Sequence, residues 1–261
     1  MRSLAIGATG MQAQQLNVEV ISNNIANSAT NGFKAQRAEF QDLLYQNMRR
    51  IGSTSSDAGT IVPSGVQIGA GVRTASVYRI MSQGNLTVTE NQLDIAVNGN
   101  GFFQIQLPTG ETAYTRDGSF SLNPQGQIVT SNGYLLNPAI TVPPNSQSIT
   151  VSATGQVQAK IAGTVTPATV GQVTLAAFPN DAGLEATGDN LFLETPASGT
   201  AVTGNPGVQG FGSIVQGSLE TSNVNVVQEI TNLITAQRAY EMNSKVIKTT
   251  EEMMQTVGQM Q

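Results

Sequence analysis

Two pairs of closely spaced carboxylates, Glu39 with Asp42 and Glu90 with Asp94, are the side chains best equipped for acid–base chemistry. One member held protonated and the other ionised could protonate a leaving group and activate water, the arrangement that cleaves a glycosidic bond in peptidoglycan. Carboxylates at these spacings are more often solvated surface groups, so catalysis is not expected from them. Gly99-Asn100-Gly101 and Gly69-Ala70-Gly71 offer backbone amides of the kind that cradle phosphate. Both lack the strand-to-helix context and third glycine of a pyrophosphate loop, and they read as turns. Arg116-Asp117-Gly118 falls between two predicted strands and reads as a tight turn closed by the aspartate side chain.

The chain has no cysteine, histidine or tryptophan. This removes disulfide scaffolds, thiolate nucleophiles, Cys/His zinc sites and imidazole catalysis together, and no cofactor is expected. Of 261 residues 39% are hydrophobic, enough for a real core, while only 11% are charged. A net charge of -5 with 12 basic residues and no basic run argues against nucleic acid or anionic lipid as partner. No apolar run is long enough for membrane insertion, and Met1–Gly7 opens no apolar segment of signal-peptide length. That pattern fits a cytoplasmic protein or one exported without a cleaved signal peptide.

The elements that would position any function divide the chain into helical ends and a β middle, an α+β fold class. Leu4, Ala8, Met11, Val18, Ile21 and Ile25 recur at spacings of three, four or seven, predicting a first helix that stops at Asn27–Gly32. From Asn223 to Gln261 a second stripe runs through Val226, Ile230, Leu233, Gln237, Tyr240, Ser244, Ile247, Glu251 and Met254. Val227, Ile234, Val246 and Met253 widen it, and Ser222 or Asn223 would cap it. A helix of that length spans about 50 Å and needs a long partner, so the terminal helices are expected to pair, coiled-coil-like, with Gln237, Ser244 and Glu251 in the seam. The alternative is that both helices pack on the central domain.

Between residues 84 and 218 the period becomes two. Leu93, Ile95 and Val97, then Phe103, Ile105 and Leu107, alternate with other residues as in half-buried strands. Pro108–Gly110, Asn123–Gly126 and Ser131–Gly133 punctuate them as hairpin turns. Residues 35–83 form a connecting segment, with a Gly- and Ser-rich stretch at about 50–74 of neither period. It reads as a long extended loop ordered against neighbouring subunits, or alternatively as a flexible linker. Residues 1–34 with 219–261 then form a terminal helical domain and 84–218 a central β domain.

The thirteen consecutive residues Ser22–Lys34 closely resemble the signature with which flagellar rod and hook proteins end their first helix. Its Asn23, Asn24, Ala26, Asn27, Thr30, Gly32 and Phe33 carry the match. Leu219–Val227 and Ala236–Lys245, with Gln237, Arg238, Ala239 and Tyr240, look like the same family's C-terminal signature. Leu93–Phe103 and Tyr114–Phe120 resemble its β core, and Thr60–Val72, with Ile61, Pro63, Gly65, Gly69 and Gly71, resembles the stiffening loop of its distal-rod members. The resemblance implies a structural subunit of the distal rod, a rigid hollow helical shaft that transmits torque and encloses the export channel. It implies self-assembly as a homopolymer, contacts with proximal rod proteins, hook protein and surrounding rings, and a place in the basal body from periplasm to outer membrane. Other readings are the second mid-sized rod protein, a hook subunit, an extracellular binding module or adhesin, and a peptidoglycan-cleaving enzyme.

Overall fold

The computed structural model describes residues 2–49, 64–163 and 166–259, which fall into two compact units. The α+β expectation holds: a helix at each end of the chain and a β-rich middle.

The first unit contains residues 1–25, 36–78 and 225–261. Helix α1, Arg2–Ala26, is free of proline and stops where Thr30 N–H turns back to the Asn27 carbonyl at 3.2 Å. Helix α2, Val226–Gln259, is 34 residues long, about 50 Å at the α-helical rise. Its cap is Asn225, whose Oδ1 accepts from Gln228 N–H at 3.2 Å and whose carbonyl accepts from Glu229 N–H at 3.0 Å. The caps expected at Ser222 and Asn223 are not used, because those side chains bond elsewhere: Ser222 Oγ accepts from Val224 N–H, and Asn223 bonds Ala35, Ile80 and Ser82.

The same unit holds a β ribbon. Strand Gln36–Asp42 pairs with Val72–Arg79, and Tyr45–Arg49 pairs antiparallel with Val66–Gly69. Leu43 N–H to the Gly71 carbonyl at 2.9 Å and Ala70 N–H to the Leu44 carbonyl at 3.2 Å join the two stretches. The aperiodic stretch at 50–74 is therefore strand from Val66 to Gly69 and again from Val72, where β-branched residues meet partners across the ribbon. Ile61 and Pro63 lie outside the described residues.

The second unit contains residues 26–35 and 79–224. Its nine-stranded sheet runs in the order 185–188, 191–193, 112–115, 102–106, 135–137, 128–130 and 120–122. Leu175–Ala177 also pairs with 102–106 and carries 202–204 on its other side. A three-stranded sheet of 146–151, 156–161 and 168–172 and two short pairs, 95–98 with 213–216 and 86–88 with 218–220, complete it. The three expected hairpin turns occur as read, each closed by a backbone hydrogen bond of 2.9–3.0 Å from Gly110, Gly126 or Gly133.

The strands expected to be half-buried are covered on both faces. Ala96, Val97, Phe103 and Ile105 are fully buried, and Gln104 is buried too, its amide donating to Thr174 Oγ1 at 3.2 Å. The cause is position: 102–106 is central in the sheet, with Phe103 edge-on to Phe120 on one side and Phe102 against Phe178 and Phe192 on the other.

Candidate assembly site

Helices α1 and α2 lie antiparallel, with Gly7 beside Ile247, Gly10 beside Asn243 and Asn24 beside Glu229. A Cβ on Gly7 would stand 3.0 Å from Ile247 Cγ1, and one on Gly10 would stand 2.9 Å from Asn243 Nδ2. The seam is thus close, small and partly polar. On α1 it buries Gly7, Ala13, Val20, Ile21 and Asn24; on α2 it buries Ala236 and Thr250.

This displaces the expected seam. Gln237, Ser244 and Glu251 are exposed, and the line facing α1 runs one position earlier, through Ala236, Asn243 and Thr250. Glycines on α1 explain the shift, since two helices approach most closely where side chains are smallest. Of the residues expected to serve self-assembly, Ile21 is buried, and Leu4, Met11, Val18, Ile25, Leu233 and Ile247 are half-buried. Val226, Val227, Ile230, Ile234, Tyr240 and Met254 are exposed. Val227, Ile230, Ile234, Met242, Val246 and Met253 fall on one side of α2 at helical spacing, away from α1, and each is 45% to 76% exposed.

The signature residues at the end of α1 have defined work. Asn24 Oδ1 accepts from Gln36 N–H and its Nδ2 donates to the Gln36 carbonyl, both at 2.8 Å, while Nδ2 also reaches Glu229 Oε2 at 3.3 Å. One amide thereby ties α1, the ribbon and α2. Thr30 Oγ1 donates to Asn27 Oδ1 at 3.2 Å. Gly32, at φ 67°, has its N–H on the Glu220 carbonyl at 2.8 Å, and a Cβ there would meet Asp117 N at 2.7 Å. Phe33 and Ala239 are half-buried, whereas Asn23, Ala26, Gln237 and Arg238 are exposed. In the loop signature Gly65 is half-buried, a Cβ on Gly69 would touch the Tyr45 ring at 3.4 Å, and Gly71, at φ 122°, lies against Thr9.

Sequence reasoning missed a buried ion cluster in the second unit. Lys34 Nζ lies 2.6 Å from Glu220 Oε1, and Arg116 Nη1 lies 3.4 Å from Glu220 Oε2. Lys34 also donates to the Ser82 carbonyl at 2.8 Å, and Gly84 N–H donates to Glu220 Oε1 at 2.8 Å. The Arg116 guanidinium stacks 5.2 Å from the Phe102 ring centre, and its buried Nε has no hydrogen-bond partner among the described residues. Burial lowers the Lys34 and Arg116 pKa values, opposed by Glu220; burial raises that of Asp181, opposed by Arg116 and Lys34. The aspartate-closed turn is real, with Asp117 Oδ1 accepting from Ser119 N–H at 3.1 Å, but its arginine serves the cluster. A cationic residue in each motif and one glutamate just ahead of α2 were the available signal; nothing local pairs them.

The candidate acid–base pairs do not converge. Glu39 and Asp42 are exposed and three apart on one strand, which points them to opposite faces. Asp94 is buried and already accepts from Thr89 Oγ1 at 2.6 Å and Asn91 Nδ2 at 2.9 Å, while Glu90 is exposed. Among the described residues no helix is long and apolar enough to cross a membrane.

Family models agree with this layout. One described as "Flagella basal body rod protein" matches residues 4–34, "Flagellar hook protein FlgE/F/G D1 domain" matches 96–159, and "Flagellar basal body rod FlgEFG protein C-terminal" matches 215–260. The chain is 61% identical to the flagellar basal-body rod protein FlgG of Caulobacter vibrioides, over 100% of this chain and 99% of that one. It is 53% identical to FlgG of Agrobacterium fabrum, covering 99% and 98%, and 38% identical to FlgG of Bacillus subtilis, covering 98% and 97%. With its paired terminal helices, its β body and these full-length relatives, the chain belongs to the flagellar basal-body rod protein family.

Proposed function

We propose that the chain, a structural subunit of the flagellar distal rod, builds that rod by burying the outer stripe of α2 against further copies of itself. The observation that carries this is the stripe Val227, Ile230, Ile234, Met242, Val246 and Met253, which α1 leaves in solvent. Six large apolar side chains exposed on one helix, with Arg238, Glu241 and Lys245 set among them, are unfavourable in water and mark an interaction surface with a polar component. Contacts between different surfaces of identical subunits propagate as a helical filament wherever the rotation from one copy to the next does not close a ring. In this reading the subunit is not an enzyme, and the shaft transmits torque, encloses the export channel and runs from periplasm to outer membrane. Proximal rod proteins, hook protein and surrounding rings meet it at its ends and flanks. Residues 1–34 and 219–261 supply the assembly elements, 84–218 the β body and 50–74 the stiffening contact.

The test is the double variant Ile234→Glu/Val246→Glu. Both positions are 45–46% exposed, so the isolated chain keeps its circular-dichroism helicity while sedimentation shows no large assemblies. Polymers of wild-type size and onset concentration from the doubly charged variant would sink the reading.

A further inference from the structure

Two of the six side chains of the outer stripe, Met242 and Met253, are thioethers, and Met254 is exposed next to the second of them. Met242 is 64% exposed, Met253 60% and Met254 39%, and Met253 and Met254 flank a shallow apolar depression with Thr250 and Gly258. Met48 in the ribbon is 66% exposed and equally open to oxidation, whereas Met11 is half-buried and Met81 packs against the Phe102 cluster; a variant with leucine at the three α2 positions keeps Met48 and so separates it from the α2 site. Because the chain has no cysteine, methionine sulfur is its most readily oxidised group.

We propose that Met242, Met253 and Met254 form an oxidation site that controls assembly. The inference rests on the self-assembly reading of the α2 stripe. A hydroperoxide transfers one oxygen atom to the thioether sulfur: the O–O bond breaks, an S–O bond forms, sulfur is oxidised by two electrons, and the peroxide leaves as water or alcohol. The product is a polar, chiral sulfoxide on a flexible stem. At Met242 and Met253 it leaves the α1 seam untouched, because that seam uses Gly7, Gly10, Ala236, Asn243 and Thr250, while Met254 lies one turn beyond Thr250, past the last of these seam residues. It does place a strong hydrogen-bond acceptor where a neighbouring copy must bury apolar surface without a donor to meet it. Free subunits are therefore vulnerable, and subunits already in a filament are shielded.

Purified full-length chain is treated with hydrogen peroxide, sulfoxides are mapped by peptide mass spectrometry, and the concentration for half-assembly is read by sedimentation. Met242, Met253 and Met254 oxidise before Met11 and Met81, and the half-assembly concentration rises about tenfold or more, the scale set by losing burial of apolar side chains. Methionine sulfoxide reductases acting on both epimers restore it. The variant Met242→Leu/Met253→Leu/Met254→Leu, whatever its own starting value, shows no further rise with peroxide. Unchanged assembly of fully oxidised wild-type chain, or an equal rise in the leucine variant, overturns the oxidation site and leaves the rod reading intact. Failure of untreated chain to assemble at any concentration instead sinks the rod reading, and the oxidation site with it.

Discussion

Lys34 and Glu220 stand 186 positions apart in the chain, yet their side chains meet at 2.6 Å with almost no exposure to solvent. The contact fixes the segment that follows α1 beside the segment that precedes α2, within the β unit. Arg116 shares the same carboxylate, so one anion, with Asp181 near by, offsets part of the cost of burying two cations.

Removing that anion is therefore costly. Glu220→Gln leaves two buried cations without their counter-charge and loses about 3–5 kcal/mol in urea unfolding, the range for breaking a buried pair from one side. Lys34→Met/Glu220→Gln recovers at least about 1 kcal/mol of that loss, because one orphaned charge goes with it. Strictly additive losses in the double variant would show that the pair is not coupled.

Stability should also depend on pH with two opposite signs. Burial holds the Lys34 pKa below its ordinary 10.5. Between the folded and unfolded values the unfolded chain binds the extra proton, so stability rises as pH climbs toward 10.5. Burial raises Asp181 above 3.8, so there the folded chain binds the extra proton and stability falls as pH rises through that window. Urea titrations across pH check both: Lys34→Met abolishes the alkaline slope contributed by this group, and Asp181→Asn abolishes the acidic one. Slopes identical to wild type in either variant would remove that group from the account.

What the sequence made legible was whatever repeats locally. The periods of three to four and of two located both helices and the central strands, and glycine with asparagine or proline marked the three hairpins. The helix seam was only partly legible from hydrophobicity, because close approach selects Gly7, Gly10 and Ala236 rather than large apolar side chains; Ile247 lies in the seam, but Val227, Ile230 and Ile234 of the same apolar pattern report the outward face. The two-sided burial of Gln104 depends on Thr174, 70 positions away, and the ion cluster on residues 34, 116 and 220; neither leaves a local pattern. The ribbon strand Val66–Gly69 was hidden among glycines because its partner, Tyr45–Arg49, precedes the loop.

The small side of the seam gives a further prediction. Gly7→Leu forces α2 away, since even a Cβ stands 3.0 Å from Ile247 Cγ1. We expect about 1–3 kcal/mol of lost pairing, the usual range for overpacking, visible as faster amide hydrogen exchange in α1 with the β unit unchanged. Gly10→Ala behaves differently. Its Cβ meets the rotatable amide of Asn243, and alanine gains roughly 1 kcal/mol of helix propensity over glycine, so exchange in α1 stays equal or slows. If both variants loosened α1 alike, close approach at Gly7 would not be what sets the seam.

Gly32 and Gly110 separate backbone strain from steric conflict. Both sit at positive φ, 67° and 89°, where a β-carbon is disfavoured. Around Gly110 nothing lies within 4 Å, so Gly110→Ala meets only the conformational penalty, about 1 kcal/mol. At Gly32 a Cβ would also lie 2.7 Å from Asp117 N and 2.8 Å from Arg116 C, both backbone atoms that cannot rotate away. Relief requires the 32–34 segment to lift, which lengthens the Gly32 N–H contact to the Glu220 carbonyl and pulls Lys34 from its carboxylate. Gly32→Ala therefore costs more than about 3 kcal/mol, strain and a weakened buried pair together. The alkaline slope assigned to Lys34 shrinks in the same variant, because a lysine drawn toward solvent regains its ordinary pKa. Equal losses at the two glycines, with that slope intact, would mean that Gly32 is only a turn residue and not the hinge on which the buried ion cluster closes.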